Sequence, residues 1–431
     1  MTDLTDQLES GPGAGAREAA RPTSAVSQAT GLVGVVGVAL TLIVIIGSDI
    51  PIGMQTILLL SSAAVPMVLW LLLFERVYRS PTTGLDFSAP RPLSETLATT
   101  KVKLVGLWST WAVLGLFYFS FGAYRSPRYD FFFDLLTDLI PVIIAVSVLY
   151  VLFVDRYMRE PRDTLWYTGH WILGGEGSDP AMLREHARGW VIKGFFLALM
   201  FTELPWFVSS VTSTPLEKIF ADPVLATVWA ISVTFMFDVG FGVTGYIFTS
   251  RLLDAHIRSS NSYLSAWLFV VVCYPPFVMI ESGGLLDYRG ELNWSDWLAG
   301  NDTLLVIWGV LLVLVNLLYV WATIIFGPRF SNLTHRGIIT NGPYRFFKHP
   351  AYLAKNLLWW LTYLPFLSMI GPADAVRNCL LLLSVNFIYY MRARSEEWHL
   401  IEDPDYQDYS AWIAENGLLP RLRRALFGRW N

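Results

Sequence analysis

Long apolar runs, separated by short polar segments, constrain this chain more than any other feature. A helix needs about 20 predominantly apolar residues to cross the hydrocarbon core of a bilayer. Runs of roughly this length recur about ten times along the 431 residues, which predicts an all-α, polytopic membrane protein. The predicted spans are residues 31–47, 54–74, 102–122, 136–154, 190–212, 224–249, 263–280, 303–326, 351–370 and 375–391.

The composition agrees with a chain that lies in lipid. Apolar residues make up 54% of the chain and charged residues 15%, against about 25% charged in soluble domains. The 18 Trp, 19 Tyr and 27 Phe suit the membrane interfaces, where aromatic rings gather. No basic run with interleaved aromatic residues suggests nucleic acid, and His170, His186 and His256 have no partners at metal-ligand spacing. We therefore expect no nucleic-acid partner and no metal.

The distribution of basic residues predicts how the chain crosses the membrane. Ten spans place both termini on one side, and only five of the 31 Lys and Arg then lie on the other side. These five are Arg125, Arg128, Lys218, Arg289 and Arg377. Because the more basic side of a membrane protein faces the cytoplasm, we expect an N-in, C-in arrangement. A bacterial inner (cytoplasmic) membrane is the expected location.

The pattern divides the chain into four segments. Residues 1–30 are polar and rich in Ala, Gly and Ser, which predicts a disordered cytoplasmic tail. Residues 31–300 form an N-terminal transmembrane module whose role the sequence does not assign. Residues 301–420 form a C-terminal transmembrane module, and residues 421–431 form a basic tail. The sequence does not define an oligomeric state.

A polar, turn-rich segment precedes the last two predicted spans. Residues 341–343, Asn-Gly-Pro, are a turn signal, and Pro350 favours the first turn of a helix, so His349 caps its cytoplasmic end. The free N–H groups and partial positive charge of a helix N-terminus suit a carboxylate or a phosphate. Arg345 and Lys348 add positive charge beside that helix end.

A pair of glutamates, Glu396 and Glu397, follows the last predicted span. The last two spans return the chain to the face from which it entered, so we expect the glutamates near His349. Adjacent helical residues point about 100° apart, so one carboxylate should face a ligand and the other an arginine or water. Singly, such features also anchor helix ends, cap helices or form solvated salt bridges. Their order and spacing favour a site for ribose hydroxyls or a cationic group.

The ordered set of motifs resembles the isoprenylcysteine carboxyl methyltransferases and the related membrane phospholipid methyltransferases. The motifs are Gly-x-Tyr at 342–344, basic-His-Pro-x-Tyr at 348–352, Glu-Glu at 396–397, Tyr-x-x-Tyr at 406–409 and the closing segment 417–420. The resemblance extends over residues 303–420. It implies S-adenosylmethionine as the cofactor, a pocket that faces the cytoplasm, and a lipid-soluble or membrane-anchored acceptor.

The same resemblance implies roles for individual residues. Catalytic roles are expected for His349 and Glu397. The residues expected to bind the cofactor are Lys348, His349, Tyr352, Glu396, Glu397, Gly342, Tyr344 and Arg345.

Two departures from the family pattern concern basic residues. Lys348 stands where an arginine is usual, which keeps the charge and loses the bidentate fork. The carboxyl methyltransferases also carry a basic residue soon after Tyr-x-x-Tyr, whereas Trp412 lies in that stretch here, with no base before Arg421. The acceptor group therefore stays open among a carboxylate, an amine and a hydroxyl. The last two would need a base, for which His349, His335 or a glutamate is available.

Ionisable residues also lie near the middle of two earlier spans. Glu203 and Asp238 lie at a depth where charged groups face a cavity or the protein interior. With Trp412, they are candidates for an acceptor pocket, and hydrogen bonds within the bundle are the alternative for both acids. Asn316 and Asn386 are expected to form hydrogen bonds between helices.

The sequence therefore predicts an integral membrane enzyme, a methyltransferase that uses S-adenosylmethionine and acts on a lipidic or membrane-delivered acceptor. Two alternatives stay open. One is a membrane NADPH-dependent reductase of the sterol-reductase type, although paired glutamates do not suit a phosphate-binding cluster. The other is a non-enzymatic transporter or adaptor with a degenerate methyltransferase module, for which Glu203 and Asp238 are the support.

Overall fold

Long helices make up most of the described residues, 20–280 and 283–428, in this computed structural model. A single short antiparallel pair joins β1 (Ser259–Ser260) to β2 (Thr334–His335) among these residues. The α-helices are α1 (Gln28–Ile45), α2 (Ile52–Leu69), α3 (Leu93–Ser120), α4 (Asp130–Tyr157), α5 (Thr164–Ile172), α6 (Pro180–Thr212), α7 (Leu216–Ala221), α8 (Pro223–Ile247), α9 (Leu264–Val271), α10 (Trp294–Trp297), α11 (Asp302–Ile324), α12 (Pro350–Tyr363), α13 (Pro372–Leu400), α14 (Pro404–Asn416) and α15 (Leu418–Phe427).

Seven of the described helices are long and apolar enough to cross a membrane, namely α1, α2, α3, α4, α6, α8 and α11. Between 11% and 44% of the most apolar window of each helix is buried inside the protein, so most of its side chains face outward. Ile43 on α1 and Phe119 on α3 are about three-quarters exposed. Lipid accommodates an apolar surface of this extent, whereas water does not. The chain is therefore an all-α, multi-pass membrane protein.

The remaining three predicted spans take other forms. Residues 263–280 are not one helix, because α9 covers only part of them and the Pro275-Pro276 pair prevents its continuation. The helix α12 has 14 residues and its C-cap is Leu364, which has a φ of 44°. Residues 375–391 lie within α13, which continues beyond them to Leu400. The total number of crossings and the orientation stay predictions.

The described residues on the two sides of α9 reach opposite ends of the bundle. Ser259 pairs with His335 at one end, whereas Gly290 packs beside Asn378 near the start of α13 at the other. Non-helical backbone at membrane depth is tolerated where protein buries it or where it lines a cavity. Tyr274, after α9, packs edge-on against the ring of Phe196 on α6.

Helix starts are marked by aspartates that cap the first turn. Asp163, Asp179, Asp222 and Asp403 each accept hydrogen bonds from backbone N–H groups at the start of α5, α6, α8 and α14. Three of these four helices also carry proline in the first turn, where its missing N–H is not needed. These Asp-Pro pairs therefore fix the residue at which each of the three helices begins.

The helix α8 packs between α6 and α11 and joins the two predicted transmembrane modules. Gly309 on α11 permits a close approach to α8, because an added Cβ would lie 2.1 Å from the Thr227 hydroxyl. Asn316 on α11 donates a hydrogen bond to Thr234 on α8, and Asn386 bonds to Asn356 across α12 and α13. The predicted interhelical role of both asparagines is confirmed.

The chain before α1 binds the motif segment near the C-terminal module. The Ala25 N–H donates to the Ile338 carbonyl at 2.8 Å, and the Asn341 amide donates to the Val26 carbonyl at 2.7 Å. Residues 1–19, which make up most of the predicted disordered tail, and residues 429–431 of the predicted basic tail lie outside the described residues.

Candidate active site

His349 and Glu397 meet at the end of the helical hairpin, although they are 48 positions apart in the sequence. His349 Nε2 donates to Glu397 Oε1 at 2.9 Å, and the Lys348 ammonium donates to the same oxygen at 3.0 Å. Arg394, one turn before Glu397 on α13, binds its other oxygen. Three basic side chains therefore surround one carboxylate.

Glu396 faces a different set of groups. The Tyr352 hydroxyl donates to Glu396 Oε1, and His349 Nδ1 lies 3.9 Å from Glu396 Oε2. The rings of His349 and Tyr352 are nearly parallel, with centroids 5.9 Å apart. The imidazole therefore lies between the two carboxylates and presents a different nitrogen to each.

The turn before α12 positions the basic residues of the motif. Gly342 has a φ of 55°, which favours glycine, and begins a short turn of 3-10 helix that ends at Arg345. His349 is the N-cap, with non-helical backbone angles (φ −130°, ψ 66°), and Pro350 begins α12. The Asn-Gly-Pro signal and the His-Pro pair therefore act as two successive turns that aim Lys348 and His349 at α13.

The helix α14, which carries the Tyr-x-x-Tyr segment, packs against this turn. The Tyr409 hydroxyl donates to the Tyr344 carbonyl at 2.8 Å. Tyr406 and Tyr409 are buried against Ile338 in one apolar cluster, which Trp412 also contacts. Lys348 reaches α14 through a 3.0 Å hydrogen bond to Ser410. The Tyr-x-x-Tyr segment thus holds the turn in place, and its tyrosines are mainly packed.

A cavity of about 470 Å³ adjoins this network. It extends from Leu400 and Tyr406, beside the motif, to Glu203 on α6 and Asp238 on α8. Apolar walls between these ends include Leu199, Met200, Val239 and Phe330. The cavity therefore combines the C-terminal motif with residues of the N-terminal module.

The predicted site residues divide by whether they line this cavity. Those that line it are Tyr344, Lys348, His349, Tyr352, Glu396, Glu203 and Asp238. Four others do not line it. Glu397 stands behind His349 and Lys348, the Arg345 guanidinium lies over the Phe346 ring at 5.0 Å, Gly342 contacts the end of α11, and Trp412 packs near the α14 tyrosines.

The electrostatics of Glu397 follow from its three basic neighbours. Burial alone would raise the pKa of Glu397, but hydrogen bonds and positive charge from His349 and Lys348 lower it to about 2. The carboxylate is therefore ionised throughout the physiological range and fixes the imidazole through Nε2. With Nε2 bonded to Glu397, Nδ1 is the ring nitrogen that faces Glu396.

His335, the other predicted base, lies at the edge of the same cavity. Burial lowers the pKa of His335 to about 4, although Asp403 is 3.3 Å from its Nε2 and acts in the opposite direction. The ring is therefore neutral at pH 7, and a pKa so far below the working pH makes it a weak base.

The two acids within earlier spans both have partners. Asp238 accepts hydrogen bonds from Tyr319 and Thr323 on α11, each at 2.5 Å. Glu203 forms an ion pair with Arg128, in the turn before α4. Both acids thus make the hydrogen bonds expected of structural groups while also lining the cavity.

Two further cations line the cavity wall, Lys355 and Arg392, and neither was among the predicted site residues. Helical spacing was the available signal. Lys355 lies three residues after Tyr352 on α12, and Arg392 lies four residues before Glu396 on α13, so each shares a face with a motif residue.

Comparison with known proteins identifies the C-terminal part of the chain. Residues 303–402 match the sequence model of the isoprenylcysteine carboxyl methyltransferase (ICMT) family. This confirms the resemblance for residues 303–402 and suggests a membrane methyltransferase, whereas the motifs at 406–409 and 417–420 lie beyond the matched residues. No curated protein and no solved structure matches the chain.

Proposed function

We propose that this protein is a membrane methyltransferase that transfers a methyl group from S-adenosylmethionine to a lipidic or membrane-delivered acceptor. One observation supports this most directly. The paired glutamates meet the Lys-His-Pro-x-Tyr segment at the wall of a cavity that reaches membrane-spanning helices. The family match over residues 303–402 supports the same reaction class.

The residues at the motif end of the cavity fit the polar parts of this cofactor. Glu396 lines the cavity, and a carboxylate suits ribose hydroxyls or the ammonium group of the methionine part. Tyr352 and His349 flank this carboxylate, and Lys348 lines the same cavity. When bound, S-adenosylmethionine supplies a methyl group on a sulfonium, and the C–S electron pair returns to sulfur as the acceptor attacks in line.

The chain's own residues would orient the reactants and accept a proton where one is released. Glu397 fixes the His349 ring through Nε2, which leaves Nδ1 towards the Glu396 side. If the acceptor is an amine or a hydroxyl, we propose His349 Nδ1 as the group that takes its proton. A carboxylate acceptor is already ionised, and His349 then serves only to position the site.

The acceptor would lie against the N-terminal module. Leu199 and Met200 on α6 and Val239 on α8 give this part of the cavity an apolar wall. Such a wall suits a hydrocarbon chain and excludes water from the reacting groups. Glu203 and Asp238 add polar groups at the far end, where we place part of the acceptor pocket.

We further propose ten crossings with both termini and the motif on the cytoplasmic side. The seven long helices, the predicted span 263–280, α12 and α13 supply these crossings. The support is that β1, β2 and the chain before α1 meet the motif at one end of the bundle, whereas Gly290 meets Asn378 at the other. The basic residues at the motif end agree with this orientation. We propose the bacterial inner membrane as the location.

Methyl transfer to membrane components tests the proposal. Membranes containing the protein are incubated with S-adenosylmethionine carrying a radiolabelled methyl group, and label is counted in solvent-extracted lipid and in protein. We expect label in an extractable or membrane-anchored species, and at least about 10-fold less with the His349→Ala or Glu396→Gln variant, since each loses a charge-assisted contact. Equal labelling by wild type and both variants would contradict the proposal.

A further inference from the structure

We propose that Arg392 and Lys355 form a subsite for an oxyanion, which binds the negatively charged headgroup of an amphiphilic acceptor. This inference rests on the proposed function, because the ligand is a methyl acceptor only if the protein is a methyltransferase. The evidence is that these two side chains line the cavity with unpaired hydrogen-bond donors. Neither belongs to the Lys-His-Pro-x-Tyr or Glu-Glu motif, and neither forms a hydrogen bond with His349 in the described part of the chain.

Arg392 is buried with most of its hydrogen-bonding capacity unused. Its side chain is 2% exposed, and one hydrogen bond, from Nη2 to Asn332 at 3.3 Å, is its contact with a described polar group. Nε and Nη1 have no hydrogen-bond partner among the described residues, and the ion pairs of Glu396 and Glu397 with described residues do not include Arg392. A buried guanidinium with free donors is costly unless a ligand supplies the missing acceptor.

Three tyrosine rings surround the Arg392 guanidinium. Its Cζ lies 4.9 Å from the centre of Tyr389, 5.2 Å from Tyr352 and 5.7 Å from Tyr274. Cation–π contacts stabilise the charge over the ring faces but do not satisfy N–H groups in the guanidinium plane. The rings therefore hold the guanidinium in place and leave its planar fork for a carboxylate or a phosphate.

Lys355 places a second cation near the same tyrosine. Its Nζ lies 4.7 Å from the centre of Tyr319 and 6.0 Å from the centre of Tyr389, and it forms no hydrogen bond or ion pair with the described residues. Asp238 is the carboxylate that faces Lys355, but its two oxygens already accept from Tyr319 and Thr323. The ammonium therefore keeps donors for a further anion.

The wall beyond these cations is apolar, which indicates the rest of the ligand. Leu199, Met200 and Val239 line the cavity on the α6 and α8 side. A ligand that pairs with the two cations and also packs against the apolar wall of the cavity is an amphiphile with an oxyanion headgroup. The same two cations could also bind the carboxylate of the methyl donor. The experiment must therefore distinguish the headgroup of the acceptor from the carboxylate of the donor.

Binding to purified, cofactor-free protein tests the subsite directly. The probes are oleate and oleyl phosphate, with oleyl alcohol as the neutral ligand of the same chain length, titrated in one detergent. We expect the two anionic probes to bind at least about 10-fold more tightly than oleyl alcohol. In Arg392→Gln and in Lys355→Gln we expect this preference to fall to within about threefold, because each change removes a charge-assisted contact. Lys355 is only part-buried, so its variant keeps the test valid if Arg392→Gln does not fold.

Arg377→Gln is the matched control, since Arg377 lies on the same helix, α13, but is exposed at its other end. This variant should keep the full preference for anionic probes. Equal binding of all three probes to the wild type would overturn the subsite. So would variants that lose affinity for S-adenosylhomocysteine while keeping the preference, because the cations would then serve the donor. Failure of methyl transfer with the preference intact would instead count against the proposed function alone.

Discussion

At the scale of single residues, the two adjacent glutamates occupy different environments. Glu397 accepts from Lys348, His349 and Arg394 and stands outside the cavity. Glu396 accepts from Tyr352 and lines the cavity. The helical offset between neighbouring residues explains this division. We propose Glu396 as the carboxylate that touches the cofactor and Glu397 as the residue that positions His349.

Glu397→Gln should weaken cofactor binding by about 10-fold, because a charge-assisted hydrogen bond contributes ~1.5–3 kcal/mol and His349 loses its fixed orientation. The change should also alter the pH dependence of stability. Relative to its ordinary value of 4.5, the folded-state pKa of Glu397 is depressed to about 2. Its contribution is therefore fully present above the ordinary value and is lost as the pH falls towards 2.

Thermal unfolding at several pH values measures this second effect. The difference in unfolding temperature between wild type and Glu397→Gln should be largest near about pH 6 and should shrink by about pH 3. Arg394→Gln, which leaves Lys348 and His349 in place, should show a smaller difference. If the difference in unfolding temperature stayed constant across this pH range, the basic neighbours of Glu397 would not be lowering its pKa.

Tyr352→Phe should test the hydroxyl without disturbing the ring. Tyr352 donates to Glu396 and packs against His349, and phenylalanine preserves only the second contact. We expect about a fivefold rise in the cofactor Kd, consistent with a typical net hydrogen bond of about 1 kcal/mol. Calorimetric titration with S-adenosylhomocysteine measures it. Tyr363→Phe, on the same helix but away from the motif, should leave the Kd unchanged.

The motif residues were predictable from the sequence because their order and spacing carry the information. Lys355 and Arg392 were not identified, since a lysine or an arginine near a helix end is usually a topological anchor. What distinguishes them is burial and the absence of a described partner, and these properties depend on how α12, α13 and the segment around Tyr274 pack together. Helical spacing narrows the choice but does not reveal which cation lacks a partner.

At the scale of elements, the chain before α1 closes over the motif segment. Thr340 and Asn341 bond to the carbonyls of Pro22 and Val26 at 2.7 Å each. Asn341 lies directly before Gly342, the first residue of the turn that leads to His349. The N-terminal end of the described chain therefore stabilises the conformation of the turn.

Asn341→Ala should lower both stability and cofactor affinity. It leaves the buried Val26 carbonyl without its donor, which costs about 1–3 kcal/mol, and it loosens the turn that carries Lys348. Thermal unfolding and S-adenosylhomocysteine titration of the same sample measure the two effects. Asn293→Ala is the control, because Asn293 caps α10 and its loss costs about 1 kcal/mol far from the motif. That control should keep wild-type affinity, and equal losses of affinity in both variants would contradict a specific role for Asn341.

Hydropathy predicted the long helices well, and its errors have a clear cause. Apolar runs identify residues that lie in lipid, but they do not report backbone conformation. Residues 263–280 are apolar, yet the Pro275-Pro276 pair interrupts the helix and the following chain turns. Two consecutive prolines are the sequence signal against a continuous helix here. The short α12 likewise ends before the apolar run does, at Tyr363, two residues before Pro365.

At the scale of the whole molecule, the cavity lies where the two predicted modules meet. The C-terminal module supplies the motif, and α6 and α8 supply the opposite wall. No sequence signal linked these parts, because Glu203 and Asp238 belong to no recognised motif. Their expected place in a polar lining agrees with the cavity, but their direct bonds to Arg128, Tyr319 and Thr323 depend on helix packing.

The proposed orientation predicts which surfaces face each side. We expect Glu291→Cys to react with a membrane-impermeant maleimide added to intact spheroplasts, and Asp408→Cys to react only after permeabilisation, because three proposed crossings separate the two sites. The two native cysteines, Cys273 and Cys379, are first replaced by alanine. Glu291 and Asp408 are exposed in the structure, so both cysteines are accessible in principle. Equal labelling of both sites from outside would refute the arrangement.

Cofactor choice tests the central claim most directly. Purified protein is titrated calorimetrically with S-adenosylhomocysteine and, separately, with NADPH, using wild type and the Glu396→Gln and His349→Ala variants. A methyltransferase site at Glu396 and His349 predicts binding of S-adenosylhomocysteine alone, weakened about 10-fold or more in each variant. Binding of NADPH in its place, or S-adenosylhomocysteine binding that both variants retain unchanged, would contradict it.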